Sequence, residues 1–373
     1  MKKAVIFGAG SIGNHLAHSC RSFGYKVLVY DINEEALVRF KTSIYPERYG
    51  FFDDGIALKF YTEITSLDLQ DIDLIVIGTP PDTHLKILEY VVNFNPKIVL
   101  LEKPIVTPSS EEISRVNELI KENPQIVFLC GYNHRVATIT KLAKDYLQSI
   151  VTGKEFELHV KWQESWSGIM SAHPWINSPS ETYLGFSKRG GGASFEHSHG
   201  IDIWLYFHGL LGLPIPDSLM GTGDLIFENE VFQFDKEIEL QLFSSGQSLG
   251  TIKQDVVTSP AKKSLRIECD DKVLLQLEFG FTPGKDSLQI FPARNSQGHE
   301  TRIEILKPRW NDFDLEIIEI DRILDNYQGI GEINSALLAS SSLKTALIAT
   351  AGLESARNGN PVKFDLIKYE IAT

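Results

Sequence analysis

The strongest constraint on this chain lies at its start. The apolar run Ala4-Val5-Ile6-Phe7 leads directly into Gly8-Ala9-Gly10-Ser11-Ile12-Gly13. A helical pattern over 12–23 follows, then a second apolar run over 26–30 that ends at Asp31. In such a strand–turn–helix–strand unit the first glycine permits the tight turn and the second lets a pyrophosphate approach the backbone. The third lets the helix pack close, with its N-terminal N–H groups aimed at the anion. An acid at the end of the second strand is placed to bind the adenosine ribose hydroxyls. Gly8, Gly10, Ser11, Ile12, Gly13 and Asp31 are therefore read as dinucleotide contacts. The Asp31 carboxylate repels a 2′-phosphate, and Ile32 and Asn33 offer no cation for one, which favours NAD over NADP. Asn33 is equally placed to cap the helix that follows.

The alternation continues through the first third of the chain. Short apolar runs at 4–7, 26–30, 58–61, 74–77, 98–101 and 126–130 alternate with helical patterns at 12–23, 34–42, 84–93 and 110–121. Strands apolar throughout and separated by helices predict a parallel sheet covered on both faces. After Gly131 the pattern changes. A helix over 140–149 and an alternating strand over 154–163 precede a loop and a further helix. Extended runs follow at 231–243, 248–257, 265–269, 273–279, 287–291 and 302–306, then helices at 313–327 and 337–358. The expected architecture is an α/β Rossmann domain with a doubly wound parallel sheet over residues 1–130. An α+β domain with a large, mainly antiparallel open sheet follows over 131–373.

Composition narrows the partners. The 373 residues carry 36 basic and 49 acidic side chains, a net charge of −13, so nucleic acid is excluded as a general partner. No apolar run approaches the roughly 20 residues of a membrane helix. The apolar stretch after Lys2-Lys3 ends at Gly8, too short for a secretion signal, and reads as a strand. Cys20, Cys130 and Cys269 are widely separated, without metal-type spacing, which suits a reducing cytoplasm.

Two more strand ends carry unusual residues, Thr79-Pro80-Pro81-Asp82-Thr83-His84 and Glu102-Lys103-Pro104. Both should border the cofactor crevice, because ligands of open α/β sheets sit beyond the carboxyl ends of the strands. With the glycine loop, Gly131-Tyr132-Asn133-His134-Arg135, Gly190-Gly191-Gly192 and the C-terminal Glu354-Ser355-Ala356-Arg357-Asn358-Gly359, the chain resembles the Gfo/Idh/MocA oxidoreductases. The resemblance covers nearly the whole chain. It implies a Rossmann domain followed by an antiparallel-sheet domain whose exposed face forms a homodimer or homotetramer interface. It also implies that Thr79, Pro80, His84 and Glu102 border NAD, that Lys103 contacts the reacting hydroxyl, and that the bond before Pro104 is cis.

The richest polar run is Gly190 to Asp202, which contains Glu196, His197 and His199. The family commonly places an acid four residues before the histidine; here Phe195 stands in that place and Glu196 is three before His199. Residues three apart still share a helical face, so Glu196 can orient His199. Glu196, His197 and His199 are all candidates for the proton-transfer group. Hydride transfer from a secondary alcohol needs concurrent loss of the hydroxyl proton, a task for a histidine, with a lysine to stabilise the alkoxide. The assignment is His199 as acid/base, Lys103 as electrostatic and relay partner, and Glu196 as orienter. No metal is expected, since His197 and His199 point to different sides of a helix.

Aromatic and polar residues between the sheet and the glycines suit a sugar ring. Asn133, Arg135, Trp166, Trp175, Tyr183 and Lys188 are the candidate substrate contacts. The His173-Pro174-Trp175 and Ser198-His199-x-Ile201-Asp202 pieces resemble relatives of bacterial surface-sugar pathways. The expected function is NAD-dependent dehydrogenation of a sugar-type secondary hydroxyl. A redox-neutral lyase or glycosidase that retains NAD, and a non-catalytic NAD sensor, are the alternatives.

Overall fold

The computed structural model describes residues 1–67, 69–149, 155–172, 176–282, 284–291, 300–307, 311–327 and 334–369. The first sheet contains β1 (Lys3–Phe7), β2 (Lys26–Asp31), β3 (Ile56–Phe60), β4 (Leu74–Ile77), β5 (Ile98–Leu101) and β6 (Val127–Cys130). Their order is β3-β2-β1-β4-β5-β6, with every pair parallel. Helices α1 (Ser11–Ser22), α2 (Glu34–Arg39), α3 (Tyr45–Tyr49), α4 (His84–Val91) and α5 (Ser110–Glu122) connect them. Every residue of β4, β5 and β6 is buried, which is why these runs show no polar alternation. The strand order reverses between β1 and β4, so the ligand crevice opens there, where the glycine loop and Thr79 lie. The helix expected over 34–42 stops at Arg39 and continues as a wider π turn over Phe40–Ile44.

Beyond β6 come α6 (Thr138–Gln148), β7 (Phe156–Gln163), α7 (Ser167–Ala172), α8 (Ala193–Glu196) and α9 (His199–Leu210). Strands β8 (Ser218–Glu228), β9 (Val231–Ser244), β10 (Gln247–Asp255), β11 (Lys262–Cys269), β12 (Lys272–Thr282), β13 (Lys285–Ile290) and β14 (Thr301–Leu306) follow. Helices α10 (Asn311–Asp325) and α11 (Ala339–Asn358) and strand β15 (Val362–Lys363) complete the described elements. The nine strands run β14-β13-β12-β11-β7-β10-β9-β8-β15, and only β7 and β10 pair in parallel. Strand β8 is absent from the sequence expectation because glycines break its alternation. A Cβ at Gly221 would lie 2.5 Å from the Gly352 carbonyl oxygen of α11, so the helix packs directly on the strand backbone.

The sequence boundary at Gly131 is not a packing boundary. Ile317, Ile320 and Ile323 of α10 join Leu16 and Ala17 of α1 in one core, and Ser19 donates to Asp314 at 2.7 Å. Burying each isoleucine side chain contributes about 1.5–3 kcal/mol. Ala339, Leu343 and Ala346 of α11 likewise join Ile113 and Val116 of α5. Two late helices thus cover the first sheet and fix the second domain against the crevice.

Candidate active site

The glycine loop has the shape a dinucleotide needs. Gly8 adopts φ +105°, and a Cβ there would meet the Gly78 carbonyl oxygen at 2.6 Å. A Cβ at Gly13 would lie 2.0 Å from the Gly8 oxygen, so α1 lies against the turn. Gly10 is exposed, with nothing within 4 Å of its Cβ position, so the backbone is open where a pyrophosphate approaches. Ser11 and Ile12 form the half-buried first turn of α1. Asp31 braces this loop: its carboxylate accepts from the Ala9 N–H at 2.7 Å and the Asn33 N–H at 2.8 Å. It is half-buried at the end of β2, and Asn33 caps α2 through the Glu35 and Ala36 N–H groups.

At the next strand end, Thr79 accepts a hydrogen bond from Thr83 at 2.6 Å, and Pro80 is exposed beside it. His84 corrects one expectation. It is wholly buried, with Nε2 2.8 Å from the Thr79 carbonyl oxygen and Nδ1 3.3 Å from that of Ile105. It ties the Thr79 loop down and does not reach a cofactor. Burial depresses its pKa, which keeps the ring neutral. Glu102 is also buried, its carboxylate packed so near Gly131 that a Cβ there would lie 2.5 Å from Oε1. Burial pushes its pKa up to about 7, against the opposing effect of Lys103.

Lys103 follows at the mouth of the crevice, joined to Pro104 by a cis peptide bond. Its Nζ donates to both the carbonyl oxygen and Oε1 of Glu196, each at 3.0 Å. The second Glu196 oxygen accepts from the Tyr183 hydroxyl at 2.8 Å. Burial opposes the Glu196 charge, but Lys103, then His197, and the two hydrogen bonds outweigh it and hold the carboxyl below its ordinary range. Three glycines let this segment in. A Cβ at Gly190 would meet Pro81 at 2.7 Å, one at Gly191 the Tyr183 and Leu184 carbonyls at 2.2 Å, and one at Gly192 Asp235 Oδ1 at 2.1 Å.

The orienting role expected for Glu196 is also corrected. Helix α8 ends at Glu196 and α9 begins at His199, so the two residues do not share a helical face. Glu196 holds Lys103, and His199 has a different partner, His134, with the Nδ1 atoms 3.3 Å apart. Trp162 stacks on His199 at 5.5 Å and Tyr132 meets its ring edge-on at 5.4 Å. Burial, then His134, Lys103 and Lys263, push the His199 pKa well below 6.5. Burial, then Lys307, Lys263 and Lys103, do the same to His134. Both rings are therefore neutral at neutral pH, and a bond between two Nδ1 atoms makes one a donor and the other an acceptor. His197 is buried, with Nε2 3.0 Å from the Glu164 carbonyl oxygen.

The candidate substrate contacts fare differently from one another. Arg135 is a buried scaffold residue: it donates to Asp202 at 2.6 Å through Nε, and to the Ala336 oxygen at 3.0 Å and Ser341 Oγ at 2.6 Å through Nη1. This corrects its expected contact with substrate. Asn133 is buried on the turn beside it, with Oδ1 unpartnered among the described residues. Trp166 is buried in a small core with Leu184, Ala193 and Val256, so its ring is packing and not a sugar platform. Tyr183 reaches the site through Glu196, Lys188 is exposed, and Trp175 lies outside the described residues. Arg189, next to Lys188, donates to Asp82 of the Thr79 loop at 2.6 Å. His134, part of the Gly131–Arg135 motif but given no role of its own, and Trp162, one of the aromatics between sheet and glycines, are also brought to the site. Among the described residues no group of three or more histidine, cysteine or acidic side chains is placed to hold a metal. No described helix is long and apolar enough to cross a membrane.

The strand order, the glycine loop and the lysine and histidines beside it define a two-domain fold of the NAD-dependent dehydrogenase class. Residues 2–130 match the Gfo/Idh/MocA family model, described as an oxidoreductase family with an NAD-binding Rossmann fold. The match spans the whole N-terminal sheet, and the fold it describes binds NAD. No curated protein matches the chain in sequence. Solved structures match nearly end to end. A levoglucosan dehydrogenase in complex with NADH and L-sorbose is similar at TM-score 0.72 and 16% identity, over 99% of this chain and 100% of that one. A myo-inositol 2-dehydrogenase from Lactobacillus plantarum gives TM-score 0.69 and 19% identity, over 98% and 99%. GenD2 from gentamicin A biosynthesis, in complex with NAD, gives TM-score 0.69 and 13% identity, over 98% and 96%. At these identities the likeness establishes the shared two-domain fold.

Proposed function

We propose that the protein is an NAD-dependent dehydrogenase that acts on a secondary hydroxyl, or the matching ketone, of a sugar, polyol or sugar derivative. The observation that carries this reading is the placement of Lys103 Nζ on Glu196, next to a neutral histidine pair at the mouth of the crevice. Bound NAD supplies the hydride acceptor. His199, neutral at working pH, takes the hydroxyl proton as the hydride leaves. The Lys103 ammonium stabilises the developing alkoxide, and Glu196 with Tyr183 holds that ammonium in place. Neighbours named for inositol, levoglucosan and gentamicin A biosynthesis support a polyhydroxylated ring as substrate. A surface-sugar precursor falls within this class. We further propose that the enzyme works in the cytoplasm as a homodimer or homotetramer built on the nine-stranded sheet.

The test is an absorbance screen for NADH formation over inositols, anhydrosugars, hexoses, uronates and nucleotide sugars. Turnover of at least one, lost in Lys103→Ala and in His199→Ala, is the expected result. Sugar conversion without net change in nicotinamide absorbance would assign the redox-neutral alternative. NAD binding with no conversion of any sugar would leave the sensor reading in its place.

A further inference from the structure

The residues flanking Asp31 bring no cation to the dinucleotide site, but the fold brings one from further along the chain. Arg48 of α3 donates through Nη1 to the Ser11 carbonyl oxygen at 3.0 Å and through Nη2 to Ser11 Oγ at 2.7 Å. Ser11 is the first residue of α1, on the turn whose open face is Gly10. Helix α3 is fixed there by aromatic packing. The Tyr49 ring stacks on His18 at 3.6 Å with 5° between the planes, and the Tyr45 hydroxyl lies 3.0 Å from His18 Nδ1. His15 adds a hydrogen bond to the Tyr49 hydroxyl. Tyr45 and Tyr49 are four apart and meet the same histidine, which leaves Arg48 beside them at the end of α1 nearest the glycine loop.

A serine hydroxyl has one hydrogen and two acceptor sites. With Arg48 donating to Ser11 Oγ, the Ser11 hydrogen is directed away from Arg48. The first turn of α1 carries no acidic residue to repel an anion. We propose that Arg48 is a positioning residue for the cofactor pyrophosphate: its guanidinium fixes the Ser11 hydroxyl as a donor and adds positive charge at the glycine loop. In a protein of net charge −13, this cation offsets the Asp31 carboxylate that braces the same loop. The planar fork makes the two Ser11 bonds together, which a lysine cannot copy.

Titration calorimetry on the full chain, with Arg48→Ala, Arg48→Lys, Ser11→Ala and the double alanine variant, tests this. The probes are ADP-ribose, NADH, NADPH and adenosine, which carries no phosphate. Arg48→Ala is expected to weaken ADP-ribose, NADH and NADPH alike, by about ten- to a hundredfold, while adenosine affinity stays unchanged. Arg48→Lys should recover part of the loss. The double variant should bind little worse than Arg48→Ala, because Arg48 acts through Ser11. Equal weakening of adenosine and ADP-ribose would overturn the proposal and make Arg48 a structural support for α1. Unchanged ADP-ribose affinity would also overturn it. Weakening confined to NADPH would reassign Arg48 to a 2′-phosphate. None of these outcomes depends on which sugar the enzyme oxidises.

Discussion

Two buried ion pairs anchor the same stretch of chain, and they are built to different ends. Lys103–Glu196 joins the end of β5 to α8, with side-chain exposures of 14% and 9%. Arg135–Asp202 joins the turn after β6 to α9, with exposures of 4% and 2%. The lysine spends two of its three donors on Glu196, and the third has no partner among the described residues. The arginine spends four of its five donors on bidentate contact with Asp202 and on Ala336 and Ser341, and Asp202 also accepts from Thr345 at 3.1 Å. An ion pair with a spare donor at a cleft can meet a reacting oxygen. One buried among helix and loop partners holds elements together. The difference separates the chemistry from the scaffold more sharply than residue type does.

The comparison predicts opposite responses to mutation. On the crevice side, His199→Ala should lower kcat by about 10²- to 10⁴-fold, the usual worth of a general base, with a thermal midpoint close to wild type. A large loss of stability with little loss of turnover in the folded fraction would place His199 in the scaffold. On the closed side, Arg135→Ala should cost about 3–5 kcal/mol in urea unfolding, because it strands a buried carboxylate. Unaltered stability with abolished turnover would return Arg135 to the substrate.

The pH profile sharpens the crevice side further. Burial and neighbouring positive charge hold His199 well below its ordinary 6.5, so kcat/KM should stay flat through neutrality and fall only at a pH below 6.5. Removing the Lys103 charge favours the protonated imidazole, so the acid limb should move to higher pH in Lys103→Ala. A limb that stays in place would show that His199 is not the titrating base. The same burial affects stability: His84, His134 and His199 bind protons less readily folded than unfolded, so stability should fall as pH drops through the unfolded value of 6.5.

A third buried acid, Asp235 of β9, meets no cation among the described residues. Asp235 accepts from the Ser194 N–H and hydroxyl, each at 2.7 Å, and burial pushes its pKa up to about 7. Its folded form holds a proton more tightly than its unfolded form. The stability it contributes is therefore present below its ordinary 3.8 and lost as pH rises through about 7. The stability of Asp235→Asn relative to wild type should rise as pH rises from about 3.8 to about 7 and stay level above that. A difference independent of pH would contradict the burial assigned to this carboxyl.

What was legible in the sequence was local. The glycine loop, Asp31, Lys103 and the polar run to Asp202 sit at strand ends or helix starts that chain periodicity locates. Their partners were not legible, because they come from distant segments: Glu196 meets Lys103, His134 meets His199, and Arg48 meets Ser11. The helical spacing that linked Glu196 to His199 failed because the helix breaks between them. Trp166 and Arg135 show the limit in another way, since a buried aromatic and a buried cation look the same in sequence whether they face a pocket or a core. Helix α10 was expected, but its return to cover α1 depends on tertiary packing of Ile317 and Ile320, not on any signal in its own residues.

The central claim is that the spare donor of Lys103 acts on the reacting hydroxyl. Single-turnover NADH formation, at saturating NAD and the best sugar of the screen, compares wild type with Lys103→Ala at a temperature where both are folded. The account predicts that hydride transfer slows by about 10²- to 10³-fold while the NADH dissociation constant stays the same. An unchanged transfer rate, with only weaker sugar binding, would contradict it.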